Sequence, residues 1–124
     1  LARLAEVDAL LARALALDEA WQDGALHELA VSWRAARPGV FDRAAVDAHY
    51  ARALALSRGT RAALFVAYAE AVAVRAQDRA LFDDLVARAL AVDPEARPHE
   101  RLQNELAKAR ARWLLGLADY LFVE

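Results

Sequence analysis

The stretch VDALLARALALD at residues 7–18 recurs as VDAHYARALALS at 46–57 and as FDDLVARALAVD at 82–93. The three copies align without gaps, and each has Asp at its second position and the run ARALA from its sixth. Their starting points lie 39 and 36 residues apart. A repeat at nearly constant spacing is typical of proteins built from similar helical units, so this pattern decides the fold.

Each copy is predicted to be an amphipathic helix. In the middle copy the apolar positions recur at i, i+4, i+7 and i+8, and they are Val46, Tyr50, Ala53 and Leu54. The alanine at the third of these positions lets another helix approach closely. The spacing is within a few residues of the roughly 34-residue period of tetratricopeptide repeats. The repeat therefore predicts stacked helical hairpins, in which each unit buries its apolar face against its neighbours.

Chain-breaking residues separate the copies from three further predicted helices. The breakers are Pro38-Gly39, Arg58-Gly59-Thr60, Pro94 and Pro98. The further helices cover about 20–36, 60–76 and 98–122. The last one places on one face Leu102, Leu106, Ala109, Trp113, Leu117 and Tyr120. We therefore predict an all-α, tetratricopeptide-like domain over residues 1–124, with about six helices and a long C-terminal helix.

Composition excludes several classes of protein. The chain has 33 Ala among its 124 residues and no Cys, with a formal net charge of -2. Abundant Ala favours helices, and the absence of Cys excludes disulfide scaffolds and thiol catalysis. The charge balance leaves no basic excess for nucleic acid. Because the chain begins with Leu1, we expect a mature form or fragment whose N-terminal part, with any signal or anchor, is missing.

Candidate catalytic and metal-binding groups are few. His27-Glu28 begins like a zinc-protease motif, but Val31 occupies the position of its second His. Ser57 and Thr60 flank a glycine, where turn or capping roles are expected. An enzyme would need a perturbed titratable group in a pocket, such as His27 beside Glu28. We therefore expect no enzyme, no metal and no cofactor.

The predicted stack has a concave face that could bind a ligand or partner, lined by the segments 20–36 and 60–76. The candidate contacts on this face are Trp33, Phe65, Tyr68 and Val72. Aromatic residues at helical spacing are also typical of an ordinary core, and this alternative stays open. The end of the last helix is apolar nearly all round, which predicts an oligomer interface. Its candidate residues are Trp113, Leu114, Leu117, Leu121 and Phe122.

Over nearly its whole length the chain resembles the T component (TatT) of the tripartite ATP-independent (TRAP) transporters. The order and spacing of several short stretches carry this likeness. They are GALH at 24–27, ARP at 36–38, HYARALALS at 49–57, YAE at 68–70, QDRALF at 77–82, RLQNELA at 101–107, ARWLL at 111–115 and DYLF at 119–122.

The resemblance implies a non-enzymatic accessory subunit in the bacterial periplasm, tethered by an N-terminal lipid. It implies the solute-binding (P) component as partner, a trimeric assembly, and an apolar channel for a hydrophobic or organic-acid ligand. The lipid-bearing cysteine of the family is absent from this chain. The alternative function is a cytoplasmic tetratricopeptide scaffold that holds a peptide or protein partner in its groove.

Overall fold

The computed structural model describes residues 2–123, and within that range the regular structure is entirely helical. Short 3₁₀ turns cover Trp21–Asp23 and Pro98–Glu100, and a π-helical turn, Ala69–Ala73, extends the fourth helix. The helices are α1 (Ala2–Asp18), α2 (Ala25–Ala36), α3 (Arg43–Ser57), α4 (Ala62–Tyr68), α5 (Arg79–Ala91), α6 (Arg101–Gly116) and α7 (Ala118–Leu121). The all-α prediction is confirmed, and the three repeat copies fall on α1, α3 and α5.

Side-chain caps start two of the repeated helices. The Asp42 carboxylate accepts a hydrogen bond from the backbone N–H of Ala45 at 3.0 Å, at the beginning of α3. Asp78 accepts in the same way from Leu81 at 3.0 Å, at the beginning of α5. Such caps satisfy backbone donors that have no partner within the helix. The similar beginnings of α3 and α5 support the repeat.

Gly24 forms the tight turn before α2. Its backbone has φ +95°, and an added Cβ would lie 3.2 Å from the Cα of Ala53. Only glycine adopts that backbone angle without strain and leaves room for α3 at this distance. The turn thereby allows α2 to pack closely along α3.

The helices pair as hairpins and then stack. α2 packs along α3, α4 packs along α5, and α6 closes the stack against α4 and α5. The helices α2, α4 and α6 also follow one another along one side of the molecule. The alternation of hairpins is the arrangement that the repeat predicts, and α2 and α4 correspond to the two segments predicted for the inner side. α6 joins them there, which the repeat does not predict.

The core lies between the hairpins and uses small residues where helices meet closely. Ala53 and Ala89, which occupy equivalent positions in two copies, are 2% and 0% exposed. Ala14, at the same position of the first copy, is only half-buried, because α1 packs mainly against α2. The largest fully buried side chains are Phe82, Leu64, Leu85, Val31, Val46 and Val72.

The C-terminal segment differs from the predicted continuous helix. Leu117, with φ −97° and ψ 0°, separates α6 from α7, and its N–H bonds the carbonyls of Trp113 and Leu114. The face of α6 that packs inward carries Asn104, Ala107, Ala111 and Leu114. Apart from Leu114, its larger apolar residues therefore point away from the core, and Leu102, Leu106 and Trp113 are 68%, 63% and 54% exposed.

No helix within residues 2–123 combines the length and the apolar character that a membrane span requires.

Candidate functional site

The inner side of the stack contains a groove of about 500 Å³ between α2, α4 and α6. We call it the inner groove. Its apolar lining consists of Leu29, Ala63, Val66, Ala67, Leu106 and Ala107. Its polar lining consists of Glu28, Ser32, Arg61, Glu70, Gln103 and Arg110. The groove is thus an apolar surface bordered by charged side chains, as at many sites that bind ligands or partners.

Two exposed leucines, one on α2 and one on α6, line the inner groove. Leu29 of α2 is 55% exposed and Leu106 of α6 is 63% exposed. Ala63 and Ala67 of α4 also line the groove, and because their side chains are small they leave room above the α4 backbone. An occupant could therefore contact two exposed leucines at once and lie close to the α4 backbone.

The charged side chains of the inner groove are paired with one another. Arg61 donates to Glu28 at 3.0 Å and to Glu100 at 3.2 Å, and Arg110 pairs with Glu70 at 2.7 Å. Burial lowers the pKa of Arg61, but the two carboxylates raise it, and the net change is upward. The lining therefore holds two cations and two anions, and no excess of either sign selects a charged occupant.

Asn104 fixes the end of the groove where α6 crosses the beginning of α4. It is 3% exposed, accepts from the N–H of Ala62 at 2.9 Å and donates to the carbonyl of Thr60 at 3.1 Å. A side chain of α6 thus caps α4, which has no cap from its own segment. The cap and the Arg61 ion pairs set the distance between the two helices that form the groove.

Three of the four predicted contact residues lie inside the protein. Phe65, Tyr68 and Val72 are 3%, 8% and 1% exposed. The Tyr68 ring stacks on Tyr50 with centroids 3.9 Å apart, and its hydroxyl donates to Asp47 at 2.6 Å. Because α4 is surrounded by α2, α5 and α6, its large side chains form the core. We therefore do not retain these three as partner contacts.

Trp33 is half-buried and lies at the surface between α1 and α2. Its indole N–H donates to Asp8 at 2.6 Å, and Arg37 binds the other carboxylate oxygen of Asp8. These two hydrogen bonds lower the pKa of Asp8. Trp33 borders two clefts of about 460 Å³ and 260 Å³. It does not line the inner groove, although the smaller of these clefts shares Leu29 with that groove.

The predicted interface residues divide between core and surface. Leu114 is 3% exposed, and Leu121 and Phe122 pack against the core, with Phe122 at 5.0 Å from the Phe82 ring centroid. Leu117 is half-buried. Trp113 remains 54% exposed, with Arg110 over its ring at 5.2 Å. Of this set, Trp113 offers most surface to another subunit.

Sequence reasoning missed the residues that line the groove, although a signal was present. Ala63, Val66, Ala67 and Glu70 recur at i, i+3, i+4 and i+7. This pattern defines a second face of α4 and its π-helical extension, opposite the large residues predicted as partner contacts. The neighbouring residues His27 and Glu28 do not act together, because they have different partners. His27 is hydrogen-bonded to Glu19, whereas Glu28 accepts from Arg61.

Among residues 2–123, one group has ligand atoms close enough to hold a metal ion: Asp23, His99 and Glu100. Arg97 already binds Asp23, and Arg61 binds Glu100. These two guanidinium groups supply the positive charge that a metal ion would bring. The group is therefore explained by ion pairs that join the chain segments around it.

Comparisons with known proteins identify a family. The family described as TRAP transporter T-component matches residues 1–122. An uncharacterized protein of Treponema pallidum (strain Nichols) is 35% identical over 121 residues, which covers 93% of this chain and 36% of that protein. The chain therefore spans little more than a third of the length of this relative.

Proposed function

This chain belongs to the T-component family of TRAP transporters, and we propose that its inner groove binds the solute-binding component of such a transporter. Membership in this family supports an accessory role in transport, in association with other components of the transporter. The observation that carries the proposal is the pair of exposed leucines, Leu29 and Leu106, facing one groove. Exposed apolar side chains in a bordered groove are typical of protein interfaces.

We also propose that the inner groove holds the apolar part of a small hydrophobic or organic-acid ligand. Its volume of about 500 Å³ lies in the usual range of small-molecule sites. Because its charged groups are paired, apolar contact would supply most of the affinity. The accessory subunit would then share a ligand with the solute-binding component and carry out no catalysis.

The proposed location is the periplasm, with a lipid anchor on the full-length protein. Support for this location comes from the family match. The full-length reading frame tests this proposal. A signal sequence ending in a lipid-modified Cys supports it, whereas an initiator Met directly before the repeat favours the cytoplasmic scaffold.

Calorimetry between this chain and the solute-binding component of a TRAP transporter from the same organism tests the proposed function. We expect a Kd in the micromolar range or below, with a negative heat-capacity change because apolar surface is buried. Titration of an unrelated solute-binding protein is the control. The absence of any heat of binding at tens of micromolar protein, at two well-separated temperatures, would contradict the proposal, because the expected heat-capacity change gives a measurable heat at one of them at least.

We further propose that the protein assembles as a trimer and that Trp113 contributes to the contact. Sedimentation equilibrium should give a mass about three times the 13.6 kDa of the chain. Replacing this exposed side chain, Trp113→Ser, should shift the population toward monomer, because interfaces depend strongly on buried Trp. The matched variant Tyr120→Ser, at an 85% exposed residue, should have less effect. A monomer at all concentrations would contradict the proposal.

A further inference from the structure

Four side chains form a continuous hydrogen-bonded row outside the inner groove. Glu19 bonds Nε2 of His27 at 2.9 Å, Nδ1 of His27 bonds Nδ1 of His49 at 2.9 Å, and Nε of Arg34 bonds Nε2 of His49 at 3.3 Å. We call this the histidine row. It joins the segment after α1 to α2 and α3. His27 is 9% exposed, and His49 is half-buried.

The donors and acceptors of the histidine row allow one arrangement of hydrogens. Arginine Nε–H can only donate, so Nε2 of His49 accepts from Arg34 and the His49 hydrogen lies on Nδ1. That hydrogen is donated to Nδ1 of His27. The His27 hydrogen then lies on Nε2 and is donated to Glu19. Both rings are neutral, and each bond has one donor and one acceptor.

Glu19 remains a carboxylate throughout the histidine titration range. Hydrogen bonds from Arg52, which has the larger effect, and from His27 lower its pKa to about 2. Arg52 contacts it at 2.6 Å. Glu19 therefore accepts a hydrogen bond at every pH in this range. Proton uptake by the histidines changes instead the contact between His49 and Arg34.

One additional proton disrupts the bond to Arg34. If the proton binds His49, it occupies Nε2, the atom that accepts from Arg34. If it binds Nδ1 of His27, the hydrogen between the rings must belong to His27, and the His49 hydrogen must move to Nε2. In either case two N–H groups, those of Arg34 Nε and His49 Nε2, face each other; when the proton is on His49 two positive charges also meet there, whereas in the second case the charge lies on His27.

We propose that the histidine row is a proton-operated switch that releases Arg34 from His49. Both residues line the cleft of about 460 Å³ between α1, α2 and α3. The other charged residues of this cleft are already engaged: Asp8 with Trp33 and Arg37, and Asp42 with the backbone of α3. Acidification therefore adds one positive charge to the row and frees a guanidinium group to meet an acidic group of an occupant.

The direction of the His49 pKa agrees with this geometry. Burial, followed by the charges of His27 and Arg34, lowers the pKa of His49 from its ordinary value. The unfolded chain therefore takes up a proton at a higher pH than the folded chain. This part of the stability is present above the ordinary histidine pKa and is lost as the pH falls from there through the lowered pKa of folded His49.

Nitrogen NMR of the imidazole and guanidinium groups tests the switch over a pH series. At mildly alkaline pH we expect the hydrogen of His49 on Nδ1, the hydrogen of His27 on Nε2, and an Arg34 Nε signal that moves together with the titration of His49. Arg34→Leu should raise the His49 titration midpoint, because it removes a neighbouring cation. The exposed Arg112 on α6 supplies the control, Arg112→Leu, which should leave the midpoint unchanged.

Two results would overturn the switch. One is a His49 hydrogen on Nε2 at alkaline pH, because that nitrogen could not then accept from Arg34. The other is an Arg34 Nε signal that stays constant while His49 takes up its proton. The measurement reports on each residue separately, so it remains valid even if the inner groove binds no partner.

Discussion

Arg61→Ala should lower the free energy of unfolding by about 3–5 kcal/mol, the range for breaking a buried ion pair. The Arg61 side chain is 11% exposed, and its partners Glu28 and Glu100 are 16% and 7% exposed. Removing the cation leaves two carboxylates with little water and no opposite charge from α4. Since small domains are stable by roughly 5–15 kcal/mol, the loss is a large share of the total. Urea denaturation measures it.

The control for this variant is an ion pair at the surface. Arg52→Ala removes a contact to Glu19 at 2.6 Å, but these side chains are 49% and 44% exposed. We expect a much smaller loss than for Arg61→Ala, because water screens the pair. The double variant Arg61→Ala with Glu100→Gln should recover part of the loss. Equal losses for Arg61→Ala and Arg52→Ala would show that burial at the end of the groove has no energetic role.

Leu106→Glu should weaken binding of the solute-binding component about a hundredfold, close to 3 kcal/mol, if the inner groove is the contact surface. The residue is 63% exposed, so the folded chain accommodates a carboxylate there. In the complex this carboxylate would face the apolar lining and would lose water without gaining a partner, because the nearby Arg110 is paired with Glu70. Calorimetry measures the change.

A matched variant separates this effect from a general effect of added charge. Leu17 of α1 is 67% exposed and lies outside the inner groove. Leu17→Glu adds the same charge at similar exposure, and we expect binding within about twofold of the original chain, as for a residue outside the interface. If both variants weaken binding equally, the contact surface lies elsewhere.

The helices can be predicted from the repeat because helix formation depends on residues that are close together in the chain. The Asp caps at residues 42 and 78 precede apolar patterns of helical period, and the observed α3 and α5 begin directly after them. The hairpin pairing then follows from the repeat, since each copy must bury its apolar face against a neighbour. These features depend on residues that are close together in the chain.

The position of the groove depends on contacts between distant residues. Asn104 bonds the backbone of residue 62, and Arg61 joins residues 28 and 100. No local pattern indicates these pairs. They set the orientation of α6, which turns its small Ala107 and Ala111 toward the core and leaves Leu106 outside. The periodicity of α6 is visible in the sequence, but the face that packs is selected by the close approach of its neighbours.

The same reason explains the location of Phe65 and Val72. Both belong to the predicted apolar stripe, Phe65 on α4 and Val72 on the π-helical turn that extends it, but α4 is the central helix of the stack. A central helix contacts neighbours on several sides, so its aromatic residues fill the core, whereas Ala63 and Ala67 line the groove. Sequence alone does not give the number of helices that surround α4.

Hydrogen–deuterium exchange with and without the solute-binding component tests the central claim most directly. If the inner groove binds this partner, amides of α4 and α6 should exchange more slowly in the complex, whereas those of α3 and α5 should be unchanged. Saturation with the partner is verified by calorimetry on the same samples. Slower exchange confined to α3 and α5, with α4 and α6 unaffected, would contradict the claim that the inner side is the binding surface.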